Sequence, residues 1–175
     1  MTVYSPSEDT YFLHDFLEEN IELEGKKFLE IGTGNGEIAI YAAEKGAEVT
    51  ATDINTEALQ QVREKAESKG LEMELIESDL FESIEEDDYD IVVFNPPYLP
   101  GDSGIGDEEI WHGGETGVEV SERFIEEVEL YLSEKGSFFI VASSLADYKS
   151  LIEYFGLSVL DEKELWFETL YILGK

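Results

Sequence analysis

Four consecutive residues, Asn95-Pro96-Pro97-Tyr98, carry groups that suit a flat, polar ligand. An Asn amide offers one acceptor oxygen and a donating NH2. The two prolines fix φ and contribute no N–H of their own, and an aromatic ring follows them. Directly upstream, Ile91-Val92-Val93-Phe94 reads as a buried strand that the prolines stop. A Pro-rich turn leaving a core strand has the same pattern, so positions elsewhere in the chain must decide between them.

Glu30-Ile31-Gly32-Thr33-Gly34-Asn35-Gly36 forms a second cluster. It follows the apolar segment 28–31 and opens a helical pattern, an arrangement in which glycines let a ligand approach the backbone closely. The G-x-G-x-G spacing departs from the dinucleotide fingerprint, and Glu37 stands where a diphosphate would want no carboxylate. Glu30 suits an ammonium group better than phosphates. Asp53 ends the next β-favouring run, where an acid can accept both hydroxyls of a ribose. Asp79, after Ile76-Glu77-Ser78, is placed to accept the exocyclic amine of an adenine. Singly, each acid could be a solvated surface group. Together, at the carboxyl ends of successive strands, they outline a crevice for an amine, a ribose and an adenine, which is S-adenosylmethionine.

These positions need a scaffold, and hydrophobic periodicity predicts one. Ser5-Pro6-Ser7-Glu8 reads as a capping box with Pro at the first helical position, leading into a helix with Phe12, Leu13, Phe16 and Leu17 on one face. The glycine turn opens a helix through Ala43, stopped by Gly46. Strand 48–53 follows, then a helix capped by Asn55 that carries Ala58, Leu59, Val62 and Ala66 and ends at Gly70. A weaker strand over 72–76 precedes an acidic linker, 82–88, into the strand before Asn95. Segment 99–115 is a long loop with five glycines, the kind that is usually functional. Val120, Phe124, Ile125, Val128 and Leu132 predict a helix ended by Gly136, and 137–142 a strand. Ser144 with Asp147 reads as a further capping box, for a helix carrying Leu145, Tyr148, Leu151, Ile152 and Phe155. Two last strands, near 157–161 and 165–173, are joined too tightly for a crossover helix and should pair antiparallel. The alternation predicts one α/β domain over 1–175, a mostly parallel sheet with right-handed crossovers.

Composition bounds the chemistry. No cysteine occurs among the 175 residues, which excludes disulfides and thiol nucleophiles. His14 and His112 have no second ligand at metal spacing, so no metal site is expected. Asp and Glu number 42 against 11 Lys and Arg, a formal charge of −31. In dilute salt such like charge repels itself, whereas at 1 M the screening length falls to about 3 Å. The acidity therefore points to a salt-loving host, and dialysis into dilute buffer should unfold the protein; a melting temperature unchanged up to molar salt would refute this. Without a basic stripe, bare nucleic acid is a poor partner. The first apolar cluster is flanked by acids and no run reaches bilayer length, so a cytoplasmic protein without leader or membrane span is expected.

Over essentially its whole length the chain resembles the class I S-adenosylmethionine-dependent methyltransferases, whose Rossmann-like fold implies a seven-stranded, mostly parallel sheet with the last strand antiparallel and helices on both faces. Asn95-Pro96-Pro97-Tyr98 resembles the signature of members that methylate a planar, conjugated nitrogen. Tyr4-Ser5-Pro6-Ser7-Glu8-Asp9-Thr10 and Trp111-His112-Gly113-Gly114 resemble the release-factor glutamine methyltransferases of the short archaeal and eukaryotic type. Those transfer a methyl group to the glutamine of the Gly-Gly-Gln loop in class-1 translation release factors. The resemblance implies cofactor contacts from Thr10, Glu30, Gly32, Gly34, Gly36, Asp53, Asp79, Leu80 and Asn95. It implies catalysis through Asn95, Pro96 and Tyr98, and substrate contacts from Asn95, Pro97, Tyr98 and Trp111, with Tyr4 and Pro6 as a lid. Bacterial relatives carry a helical domain ahead of the catalytic one; here no such domain is read, so grip should come from the long loop or a partner. The short type works with a small zinc-binding activator that adds a strand beside the third strand, which implies an interface at Met73, Leu75 and Ile76, with Leu59 or Val62 flanking. The competing enzyme reading, a methyltransferase for the exocyclic amine of a nucleic-acid base, shares the Asn-Pro-Pro-Tyr signature but lacks a basic patch.

Overall fold

Short runs of β-branched and aromatic residues, bounded by glycines and acids, form seven strands: β1 (Lys27–Ile31), β2 (Glu48–Asp53), β3 (Glu74–Glu77), β4 (Tyr89–Phe94), β5 (Leu132–Ser143), β6 (Ser158–Glu164) and β7 (Thr169–Gly174). Between them run the helices α1 (Glu8–Asn20), α2 (Glu37–Glu44), α3 (Thr56–Lys69), α4 (Glu119–Val128) and α5 (Tyr148–Phe155). This is a computed structural model, and it describes residues 7–85, 87–98 and 116–175.

The strands form one sheet in the order β3-β2-β1-β4-β5-β7-β6. All neighbours run parallel except β7, which is antiparallel to both β5 and β6. Successive side chains of a strand point to opposite faces, and β4 shows why the sheet needs helices on both. Ile91 and Val93 join a buried cluster with Phe12, Phe16, Ile38 and Ala42 of α1 and α2. Val92 and Phe94 join a second with Phe124, Val128 and Leu151 of α4 and α5. The seven-stranded α/β architecture read from sequence is the one observed.

Three local readings are corrected. Helix α1 begins at Glu8 behind Ser7, two residues later than the Ser5 cap would give, and the Ser7 hydroxyl donates to the Asp9 carboxylate instead of capping the helix. Helix α4 stops at Val128, and Leu132 and Gly136 lie inside β5. Gly136 faces the irregular register between Tyr89 and Ile91, where an added Cβ would meet the Tyr89 carbonyl at 2.6 Å. The glycine permits close strand approach rather than ending a helix. Ser144 does not cap α5: its hydroxyl accepts the Thr169 N–H at 2.8 Å, and the helix starts after Asp147 with Leu145 left exposed.

Candidate active site

Where β1 lies between β2 and β4, the winding of the sheet reverses, and it is beyond the carboxyl ends of the strands at such a point that open α/β sheets bind ligands. The register Ile31↔Phe94 brings Gly32 and Asn95 out of the sheet side by side at that point. The Asn95 Oδ1 is buried and has no hydrogen-bond partner among the described residues. Such an acceptor typically costs about 1–3 kcal/mol, so its presence here marks a place for an N–H donor. Pro96 is buried; Pro97 and Tyr98 are half-buried. The Tyr98 hydroxyl donates to Asp9 at 3.2 Å. Asp9 is itself buried at the head of α1, where it also accepts the Thr10 N–H at 2.7 Å. Thus Thr10, also buried, and the Tyr98 hydroxyl meet at the same carboxylate.

The glycine turn is held from below. Glu30, 5% exposed, accepts the Thr33 hydroxyl at 2.7 Å. Burial pushes its carboxyl up to about 8, against the pull of hydrogen bonds from Thr33 and the Ala39 backbone, with the Asp53 and Glu37 charges adding to the rise. The Thr33 N–H donates to the Thr52 carbonyl at 2.8 Å, extending the β1–β2 pairing into the turn. Gly36 precedes α2 at φ +79°, and a Cβ there would come within 2.6 Å of Val62. Only glycine meets both demands.

Asp53 is committed to the backbone as well as to the crevice. One carboxylate oxygen accepts the Gly34 N–H and the other the Asn55 N–H, both at 2.8 Å. A carboxylate has about four lone-pair sites, so acceptor capacity remains for a ligand hydroxyl beside these backbone bonds. Burial raises its pKa, opposed by the backbone N–H groups of Asn55, Gly34 and Ile54. Beside it Ile54 is an exposed aliphatic side chain, an apolar face for a flat ring.

After β3, Leu80 takes φ +49°, which a bulky residue rarely adopts. Ser78 fixes it: its buried hydroxyl donates to the Leu80 carbonyl at 2.9 Å and accepts the Ser83 N–H at 3.0 Å. Asp79, between them, pairs with Arg123 of α4 at 3.3 Å, with both side chains about half exposed. Ser78→Ala should lower unfolding free energy by about 1–3 kcal/mol, because the Ser83 N–H loses its partner and Leu80 its tether. Denaturant titration checks this, and an unchanged midpoint would show the Leu80 conformation to be self-supporting.

Glu30, Gly32, Gly34, Gly36, Asp53, Asp79, Leu80 and Asn95 all stand at the carboxyl ends of β1, β2, β3 and β4 or in the turns that follow them. Asp9, Ile54, Ser78 and Arg123 were not singled out by sequence. Asp9 meets Tyr98 across 89 residues, and no spacing rule links them. Tyr4, Pro6, Trp111, His112 and the rest of 99–115 lie outside the described residues. Met73, Leu75 and Ile76 are half-buried, Met73 just ahead of β3, and the first two pack on the core. The outer edge of β3 carries no strand among the described residues. A separate open groove of about 330 Å³ among α1, α2 and α3, lined by His14, Tyr41, Glu44, Lys65 and Lys69, touches the crevice residues only at Gly36.

Residues 7–164 match the family model described as the methyltransferase small domain. MJ0928 of Methanocaldococcus jannaschii, named by inference as a protein N5-glutamine methyltransferase, is 38% identical over 158 residues, covering 86% of this chain and 77% of that protein. The release factor glutamine methyltransferase of Deinococcus radiodurans is 36% identical over 74% of this chain, which spans half the length of that protein. Among solved structures, the E. cuniculi Mtq2–Trm112 complex, described as responsible for methylation of the translation termination factor eRF1, superposes with a TM-score of 0.79 at 32% identity. It covers 99% of this chain and 98% of its own.

Proposed function

Because the chain belongs to the methyltransferase small-domain family and to the protein N5-glutamine methyltransferases, we propose that it methylates the side-chain amide of the Gly-Gly-Gln glutamine in a class-1 translation release factor. The observation that carries this reading is the buried, partnerless Asn95 Oδ1 beside the glycine turn. It is an acceptor aimed where an amide NH2 would need one.

S-adenosylmethionine fits the donor set. Gly32, Gly34 and Gly36 would leave its amino-acid end room at the turn above Glu30, Asp53 would take the ribose hydroxyls, and Asp79, Leu80 and Ile54 would bound the adenine. When bound, the cofactor supplies an electrophilic methyl group on a sulfonium sulfur. The protein's task is to make a poor nucleophile ready, since an amide nitrogen's lone pair is delocalised into its carbonyl. The Asn95 side-chain oxygen and the Pro96 carbonyl accept the two N–H bonds, which fixes the amide plane and aims the nitrogen. Pro96 has no N–H to compete. Tyr98, anchored through Asp9, packs against the amide together with Pro97. Positioning of this kind supplies about 7–11 kcal/mol in favourable cases, and the proton that the nitrogen sheds on gaining the methyl group would pass to water, so no side chain of perturbed pKa is called on as a base.

The E. cuniculi relative stands in a complex with Trm112, and the open outer edge of β3 suits addition of a partner strand. The reading therefore includes a small, zinc-binding activator at Met73, Leu75 and Ile76, cytoplasmic work on the translation machinery, and a high-salt host. No helix among the described residues is long and apolar enough to cross a membrane. The deciding experiment offers labelled S-adenosylmethionine, at molar salt, to a release factor, its Gln→Ala variant and RNA. Label should follow the glutamine alone; label in the Gln→Ala variant or in RNA would overturn the reading.

A further inference from the structure

The β6–β7 hairpin ends in two aromatic side chains that the fold leaves in water. Trp166 is 98% exposed and Phe167 64%, with ring centroids 6.4 Å apart in an edge-on arrangement. Burying such rings is normally favourable by some kcal/mol each, yet this connection is tied down so that they stand out. The Leu165 N–H donates to the Glu168 carbonyl at 2.8 Å, closing the turn. Ser144 and Thr169 exchange two hydrogen bonds at 2.8 Å, and the Ser143 hydroxyl donates to Glu168 at 2.5 Å, fastening the hairpin to the end of β5. Lys163 reaches Glu8 at the head of α1 at 2.9 Å.

These ties also locate the tip. Strand β6 is antiparallel to β7, which is antiparallel to β5, so the turn lies on the same rim of the sheet as Asn95 and the glycine turn. Counting strand spacings of about 4.8 Å across β4, β5 and β7, and the rise beyond Thr169, puts the rings roughly 20 Å from Asn95. About six residues of extended chain span that distance. The same α1 head that anchors Tyr98 through Asp9 is thus joined to the hairpin. Exposed Glu162 and Glu164 frame the rings in a chain of net charge −31. The open β3 edge is at the opposite end of the sheet.

We propose that Trp166 and Phe167 are a docking point for the protein being methylated, receiving a basic stretch of it that lies about six extended residues from the target glutamine. An arginine or lysine over the Trp166 ring gains a cation–π contact with carboxylates alongside, and aromatic anchors of this kind dominate binding energy at interfaces. The proposal rests on the glutamine-methylation reading.

The test compares wild type with Trp166→Ala/Phe167→Ala, each co-purified with the activator, on an intact release factor and on a five-residue peptide centred on the target glutamine. The variant should raise KM for the intact factor at least ten-fold, leave kcat and S-adenosylmethionine affinity unchanged, and leave the peptide's kinetics unchanged; Trp166→Phe should restore most of the lost affinity. Binding of the factor to Asn95→Ala enzyme, with and without the hairpin substitutions, reads docking apart from chemistry: hairpin-dependent binding without methylation of the glutamine by wild type would sink the functional reading and leave the docking site standing. An unchanged KM for the intact factor overturns the proposal. So does an equal loss on the peptide, release of the activator, or a change of oligomeric state, since the tip would then serve the fold, the activator or a second copy.

Discussion

Asn95→Ala should lower methyl transfer to the glutamine by about 1,000-fold, the upper range for loss of one preorganised hydrogen-bonding group, while S-adenosylmethionine binds within a few-fold of wild type. The reasoning runs from the orphaned acceptor. In the ligand-free protein Oδ1 has nothing to bond to, so deleting it removes a liability rather than a support. Thermal unfolding should therefore stay level or improve as turnover collapses. That pairing separates a clamp from a structural asparagine, whose loss would cost stability and activity together. Single-turnover rates with equilibrium dialysis of the cofactor provide the check, and retained turnover would remove Asn95 from the chemistry.

Glu30→Gln should act on pH dependence as much as on binding. Burial raises the folded carboxyl from 4.5 to about 8, so between those values the folded state holds a proton that the unfolded chain has released. Stability is then highest below the unfolded pKa and declines as pH rises towards 8, by a few kcal/mol at about 1.4 kcal/mol per unit. The glutamine variant has no such decline and should melt higher than wild type at pH 8 and level with it near pH 4.5. The cofactor responds in the opposite sense. A bound ammonium favours the ionised carboxylate, so wild type should release close to one proton on binding at pH 7, and the variant none, with affinity reduced about 100-fold at pH 8. Calorimetry in buffers of different ionisation enthalpy measures the proton. A flat stability profile for wild type would show that Glu30 is ionised in place.

Most of the architecture was legible because its signals are local. Glu48–Asp53 is a short β-favouring run, and the Asn55 cap read just beyond it does accept the Glu57 N–H at 3.0 Å. The Gly32–Gly36 turn sits between a buried strand and a buried helix, as its glycines demand. Where local signals failed, a distant contact had outbid them. Gly136 looked like a helix stop and is a strand residue pressed on the Tyr89 carbonyl. Ser144 looked like a cap and is spent on Thr169. Asp53 and Asp79 were legible as acids at strand ends, but not their bonds to Gly34 and Arg123, since those depend on how separate segments dock. Asp9 and Ser78 were invisible for the same reason. Their value lies in the residue they hold, and sequence does not reveal which residue that is.

Strand order also dictates when the crevice can exist during folding. β1 and β2 are near neighbours in the chain, so the glycine turn and Asp53 can come together early, closed by the single crossover through α2. β4 must then insert beside β1, pairing Phe28 with Ile91 across about a third of the chain, before Asn95 stands next to Gly32. Contacts so far apart in sequence form late. β5 must arrive from further along still to close the other side of β4. A nascent chain therefore passes through a stage with half of a cofactor cradle and no clamp, and methyl-transfer competence appears only once translation has delivered β5. The enzyme cannot act while it is itself unfinished.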